Sequence, residues 1–252
     1  MDKLQPKVTI ITAAHNSKTF ILDTFNSVIN QTYKNWEWII TDDCSTDGTA
    51  DYIRTLSKND KRIVVVQLVK NSGSAVARNN SLRRATGKYI TFLDSDDLLD
   101  KDYIENQVRF IKDNGPIVSA GYRRLTEKTC TDFYVPETVN YKQLLCGDPL
   151  SCLTTMYDKD IIGERYFLET VKKREDYIFF LEILKDGFIA KGNHKILGTY
   201  KIHKGSKTAN KFKLIKYQFY VYHKTQHINW FKSWYYIFRW MCYGLKKYRN
   251  VK

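Results

Sequence analysis

The stretch KYITFLDSDD, residues 88–97, decides how this chain is read. Tyr89, Ile90, Thr91, Phe92 and Leu93 are aromatic, β-branched or aliphatic, the composition of a buried strand. The strand runs straight into Asp94, Asp96 and Asp97, with only Ser95 among them. Like charges so close repel, and each raises the pKa of the others unless something positive sits between them. Carboxylate oxygens are hard ligands suited to Mg2+ or Mn2+, and Mg2+ is commonly held by one or two carboxylates together with substrate phosphates. The segment therefore predicts a metal-bound nucleoside diphosphate. The competing reading is a solvated turn whose acids cap a helix beginning near Asp100.

The residues before this stretch alternate strand-like and helix-like patterns with short turns. Strands are predicted over 8–12, 36–41 and 63–68, and helices over 19–30, 46–56 and 75–85, the last leading through Gly87 into residues 89–93. This is how an α/β protein with a Rossmann-like, mostly parallel sheet and helices on both faces reads. In such sheets ligands gather at the carboxyl ends of the strands. Three of those ends are polar here: Thr12 to Asn16, then Asp42, Asp43 and Ser45, then Asp94 to Asp97. Together they predict one crevice.

Beyond it the alternation weakens. A helix is predicted over 102–113, strands over 117–122 and 152–157, and helices over 141–146 and 176–185. No Pro/Gly/Ser-rich linker intervenes, so residues 106–208 read as a second half packed on residues 1–105, not as a free domain. Neither internal repeats nor low-complexity segments occur. A chain of 252 residues, 43% hydrophobic, is long enough to bury a substantial core. Its five cysteines are odd in number and scattered, without CxxC or Cys/His spacing, so neither a disulfide framework nor a zinc site is indicated, and a reducing cytoplasm is expected. The short apolar run near the N-terminus predicts neither a signal peptide nor a membrane span.

The net charge of +14 suggests nucleic-acid binding until its distribution is considered. Residues 187–252 hold 15 Lys/Arg and no acid, so the whole excess lies behind the acidic crevice and needs its own explanation. Within the tail, residues 209–252, Ile228, Phe231, Tyr235, Phe238, Cys242 and Leu245 follow helical spacing, while Lys232, Arg239 and Lys246 break any continuous apolar run. That pattern argues against a transmembrane helix. It predicts an interfacial helix on an anionic membrane surface, or else aromatics packed against the body.

Several separated blocks carry a family resemblance: VTIITAAHN (8–16), SVINQTYKNWEWIITDDCSTDGT (27–49), NSGSAVARN (71–79), GKYITFLDSDD (87–97) and KREDYIFFLEIL (173–184). Over roughly residues 5–205 the chain resembles the inverting family-2 glycosyltransferases of the GT-A fold, in particular enzymes of bacterial teichuronic-acid, capsule and O-antigen assembly. The resemblance implies a UDP-sugar donor, a divalent Mn2+ or Mg2+ cofactor and a glycan or lipid-linked oligosaccharide acceptor. It implies residues 1–105 as the nucleotide-sugar half and 106–208 as the acceptor half. A cytoplasmic enzyme at the inner face of the cell membrane, with no nucleic-acid partner, is expected.

The same resemblance distributes the roles. Asp42 corresponds to the aspartate that accepts from the uracil N3–H, with Thr12 and Ala14 near the uridine; otherwise Asp42 caps the helix after Ser45. Asp43 is a site residue or a turn residue. Asp94 looks like the first acid of the DxD motif, on ribose or metal, with Ser95 beside it, and Asp96 like the ligand that ties the metal to the diphosphate. Asp97 supports them or caps the next helix. Arg78 is a partner for these acids or for the phosphates, or an exposed helix arginine. Asp176 is the implied general base on the acceptor hydroxyl, with Glu175 beside it on donor or acceptor. Both also suit the first turn of a helix, where the macrodipole favours acids. His203, in YKIHKGSKT, is implied as a further metal ligand, with Lys204, Ser206 and Lys207 near the diphosphate; a lone histidine at a strand end is otherwise a surface residue.

Two other classes compete. A glycoside hydrolase also uses paired carboxylates but needs no nucleotide, which the sheet pattern argues against. A nucleic-acid binder working through the aromatic, basic tail leaves the acidic crevice unexplained. A P-loop enzyme is disfavoured because GxxxxGK[ST] is absent.

Overall fold

The computed structural model describes residues 5–202 and 211–248. The chain first builds β1 (Val8–Ala14), α1 (Ile21–Ile29), β2 (Trp36–Asp42), α2 (Thr49–Ser57), β3 (Ile63–Gln67), α3 (Ser74–Leu82), β4 (Tyr89–Phe92) and the short β5 (Leu98–Leu99). There follow α4 (Tyr103–Asn114), β6 (Ile117–Leu125), β7 (Cys130–Phe133), β8 (Thr138–Val139), α5 (Tyr141–Cys146), β9 (Thr155–Asp158), α6 (Lys159–Ile162), α7 (Glu175–Lys185) and β10 (Ala190–Lys201). The tail holds α8 (Lys211–Tyr220), a π turn (Val221–Thr225) and α9 (Trp230–Tyr248).

One sheet runs in the order β3-β2-β1-β4-β9-β6-β10-β5, with β7 beside β6 and β8 beside β10. The ladders among β1 to β4 are parallel. β9 then runs antiparallel between β4 and β6, and only β6 with β10 is parallel beyond it. The sheet is thus mixed: the expected parallel arrangement belongs to its first half, and it continues without a break past residues 105 and 106.

Both faces are covered, as the near-continuous apolar strands require. Side chains alternate along a strand, so Val8 and Ile10 enter one core with Trp38, Ile40, Ile21, Phe25, Val28 and Ile53. Ile11 and Ile39 enter the other with Ala75, Leu82, Tyr177, Phe179 and Phe180. Each such fully buried aliphatic or aromatic side chain contributes about 1.5–3 kcal/mol.

The predicted strand at 152–157 divides into a 3-10 turn, Cys152–Thr154, and β9. The predicted helix at 46–56 starts later, because Asp47 accepts the Thr49 N–H (3.0 Å) and Gly48 adopts φ +82 before the first turn. β10 has no counterpart in the sequence reading. Its segment carries Gly192, Gly198 and three lysines, and its register shifts twice against β6. The glycine at 192 is needed, since a Cβ there would lie 2.2 Å from the Pro136 carbonyl oxygen.

The tail helix α9 has two faces. Ser233 and Ile237 are buried, and Tyr236 packs on the core. The opposite face exposes Phe231 (79%), Tyr235, Phe238 (63%) and Leu245 (72%), together with Cys242. These belong to the stripe picked out by helical spacing. No helix among the described residues is long and apolar enough to cross a membrane.

Candidate active site

Register places the polar strand ends together. Ala14 pairs with Asp42 and Ile11 with Phe92, so β1, β2 and β4 all finish at one edge. Thr12 braces this edge from beneath. Its fully buried hydroxyl accepts from Trp38 Nε1 (2.8 Å) and donates to the Leu93 carbonyl (2.7 Å), so its side chain is a strut, not a surface of the crevice. Ala14 is buried, and its carbonyl accepts the Asp43 N–H (2.8 Å).

Asp42 is buried at the end of β2 and accepts both the N–H (2.9 Å) and the hydroxyl of Ser45. This is the turn contact that competes with a nucleoside role. Asp43 accepts the N–H groups of Ser72 (2.7 Å) and Gly73 (2.8 Å), pinning the loop that opens α3. These are the contacts of the turn reading.

Arg78, from the inner face of α3, ties the acids together. Its Nη2 donates to Asp94 and its Nη1 to Glu175 Oε1 (3.4 Å), with the guanidinium 5.3 Å from the Phe167 ring. It is 6% exposed and so is no surface helix arginine. Burial works against its charge, but the Asp94 and Glu175 carboxylates beside it raise it above the ordinary arginine value. Its Nε is buried without a hydrogen-bond partner among the described residues. Glu175 also accepts the Ser74 hydroxyl. Asp176 follows at the start of α7, its Oδ1 taking its neighbour's N–H, from Tyr177, at 2.7 Å. Cys152 lies where the charges of Arg78, Asp94, Asp176 and Glu175 all reach it, and burial pushes its thiol well up. Arg78 thus brings Asp94 of the DSDD segment together with Glu175 of the ED pair, some eighty positions away.

Within DSDD the acids diverge. Asp94 and Asp96 are partly exposed, whereas Asp97 is buried. Asp97 Oδ1 accepts the Lys201 N–H (3.0 Å), and its carbonyl, like that of Ser95, accepts the Thr24 hydroxyl. Burial pushes its carboxyl well above the usual range, Asp94 and Asp96 add to the rise, and Lys201 opposes it. Asp97 is an anchor for the end of β10. Its position directs Asp94 and Asp96 outward.

Those two carboxylates fit a divalent cation. Among the described residues no three His, Cys, Asp or Glu side chains converge as a metal site. A donor set of two hard carboxylates suits an ion that completes its shell with diphosphate oxygens and water, not an all-protein cage. His203, Lys204, Ser206 and Lys207 lie outside the described residues.

The profile of the glycosyl transferase family 2 matches residues 9–160. TuaG of Bacillus subtilis, a glycosyltransferase assigned to teichuronic acid biosynthesis, is 38% identical over 237 residues, covering 92% of this chain and 94% of its own. This chain belongs to glycosyl transferase family 2. Two Escherichia coli members, WfaP and WfgD, are 38% and 32% identical, covering 82% and 97% of this chain and 81% and 98% of their own. Both are named UDP-Glc:α-D-GlcNAc-diphosphoundecaprenol β-1,3-glucosyltransferases.

Solved structures agree on the fold. Staphylococcus aureus TarS 1-349 with UDP-GlcNAc superposes with a TM-score of 0.68 at 22% identity, covering 85% of this chain and 65% of that one. The Pyrobaculum calidifontis mannosyltransferase PcManGT, bound to GDP-Man and Mn2+, gives 0.69 at 19%, covering 90% and 66%. This chain spans about two thirds of the length of both. It is a glycosyltransferase, which moves a sugar from a nucleotide-sugar donor to a glycan acceptor. Membership decides against the hydrolase and nucleic-acid readings.

Proposed function

We propose that this protein transfers a sugar from a UDP-sugar, with inversion and with Mn2+ or Mg2+, to a hydroxyl of a lipid-linked glycan in bacterial surface-polysaccharide assembly. The observation that carries the reading is Arg78, which joins Asp94 to Glu175 and so sets a donor acid and the ED pair in one crevice. The names of WfaP and WfgD support a UDP-sugar and a diphosphoundecaprenol-linked acceptor. A β product from UDP-glucose, an α-linked donor, is the stereochemistry of inversion.

Asp42 takes the uracil N3–H on exchanging Ser45 for the base, beside Ala14 and above the Thr12 strut. A carboxylate there suits uracil, which carries a ring N–H, over cytosine, which does not. Asp94 and Asp96, with Ser95 between them, hold the cation. When bound, it neutralises charge on the departing UDP. Arg78 keeps Asp94 oriented, and Glu175, fixed by Ser74 and Arg78, borders the sugar. Asp176 removes the acceptor hydroxyl proton as that oxygen attacks the anomeric carbon opposite UDP, and the sugar–phosphate bond breaks with its electron pair leaving on UDP.

The tail supports a place on the inner membrane face. The exposed stripe of Phe231, Tyr235, Phe238 and Leu245 lies on a helix carrying Lys232, Arg239 and Lys246, and bulky apolar groups with basic neighbours favour an anionic headgroup layer.

The test is UDP release from a panel of UDP-sugars with MnCl2 or MgCl2. Turnover of one UDP-sugar, abolished by a chelator and absent with GDP-mannose, is expected. Turnover of a GDP-sugar alone, or of UDP-sugars in excess chelator, would overturn the donor and metal assignments respectively.

A further inference from the structure

We propose that Arg174 is a positioning residue for Asp176 and that α9 grips it, so that the tail helix belongs to the catalytic apparatus as well as to the membrane face. The inference rests on Asp176 being the base.

Arg174 immediately precedes the ED pair and sits at φ +69, ψ +18, in the left-handed region that a side chain with a Cβ rarely adopts. Backbone held there persists only where the surroundings over-determine it. Here the surroundings are visible. Arg174 Nη1 donates to Asp148 Oδ2 at 2.8 Å, and its guanidinium lies 4.3 Å from the Tyr177 ring and 5.7 Å from that of Trp240 on α9. Stacking of this kind attracts a cation to the ring faces.

Asp148 is itself held by the tail. Lys247 Nζ donates to its carbonyl (3.1 Å), and a Cβ on its neighbour Gly147 would lie 2.6 Å from the Tyr243 ring. Three side chains from successive turns of α9, Trp240, Tyr243 and Lys247, thus converge on Arg174 and its neighbours. The charges of Arg174, Asp148 and Asp176 act on one another. Arg174 Nε and Nη2 are buried with no hydrogen-bond partner among the described residues. A fold that needed only a salt bridge would not strain the backbone and bury two unsatisfied donor nitrogens to obtain it. What the strain achieves is direction: the left-handed residue turns the chain so that Glu175 faces Ser74 and Arg78, while Asp176 occupies the next position on the helix.

The experiment uses the full chain and the UDP-sugar that releases UDP fastest from the panel with MnCl2. Arg174→Gln is expected to lower kcat about 10- to 100-fold, the scale of a small misplacement of a reacting group. Donor KM and the calorimetric Kd for UDP should stay within about twofold. Arg174→Lys should recover part of kcat, and Trp240→Leu should cause a smaller loss that adds nothing in the Arg174→Gln background. Unchanged kcat in Arg174→Gln overturns the proposal. So does a loss that Arg174→Lys does not relieve, or one that tracks the folded fraction in thermal melting. If Asp176→Asn retains full turnover, the base assignment fails. If Asp176→Asn is inactive while Arg174→Gln is fully active, only the positioning role fails.

Discussion

The donor side and the helix side of the crevice both present acids, but they are built differently. Asp43 and Asp97 are fixed by N–H groups of neighbouring strands and turns, from Ser72, Gly73 and Lys201. Asp176 instead begins a helix whose entry is set by a cation, Arg174, seated on Asp148 and on aromatic rings. Backbone-fixed acids need only the sheet. A cation-fixed helix start needs the tail as well. The difference separates two kinds of failure: damage on the donor side should appear in binding, and damage on the helix side in turnover.

The sharpest way to break this contrast is Asp176→Asn. Transfer should fall by about 100- to 10,000-fold, the contribution of a positioned general base, while UDP binding by calorimetry stays close to wild type. A variant that loses both would merge the two sides. The paired substitution Phe231→Asp and Phe238→Asp comes next. Each removes an exposed ring worth up to about 1.5–3 kcal/mol on burial, so sedimentation with phosphatidylglycerol vesicles should fall at least about tenfold, with UDP release in solution unchanged. Arg78→Met strikes a residue that bonds to both sides, to Asp94 and to Glu175. Removing one partner of a buried pair costs about 3–5 kcal/mol, but Asp94 is 38% exposed, so about 2 kcal/mol in urea unfolding is expected after discounting for solvent. UDP affinity and kcat should drop together.

The smallest effect lies at the opposite edge of the sheet, and it serves as a control. Burial alone would raise the Glu37 carboxyl, but Lys7, Thr9 and Thr86 hold it below its ordinary value. A carboxylate with a depressed folded pKa adds stability above its unfolded pKa, near 4.5, and that stability is lost as pH falls through the depressed value. Glu37→Gln should therefore cost about 1–2 kcal/mol at neutral pH. Its urea-unfolding curve should converge on wild type in acid, with kcat unchanged.

The first half of the fold was legible because parallel strands buried on both faces are continuous apolar runs, and their polar ends fall where ligands gather. The segments around Asp42 and Asp94 could be located for the same reason, whereas Asp176, at a helix start, was marked only by the family resemblance of its block. What a linear reading could not supply was partnership. Asp97 resembles its neighbours until Lys201 is seen to claim it. Thr12 sits beside the crevice in sequence and beneath it in space. β10 carries Gly192 because Pro136 crowds it, a contact between residues far apart in the chain. Arg174 stood within the quoted KREDYIFF block without a role, since nothing local marks a left-handed residue that is neither glycine nor asparagine.

The hydrogen bond from Lys201 to Asp97 spans 104 positions, and β5, the two residues directly after the acids, pairs among the described residues with β10 alone. A ribosome adding about 5–20 residues per second therefore exposes the acidic loop for roughly 5–20 seconds before the strand that anchors it has been made. During that interval the nascent chain contains the residues of its parallel strands but not the strand that completes the donor loop. Nucleotide affinity should accordingly arise late in biosynthesis, in step with the tail instead of with the half of the protein that carries the acids.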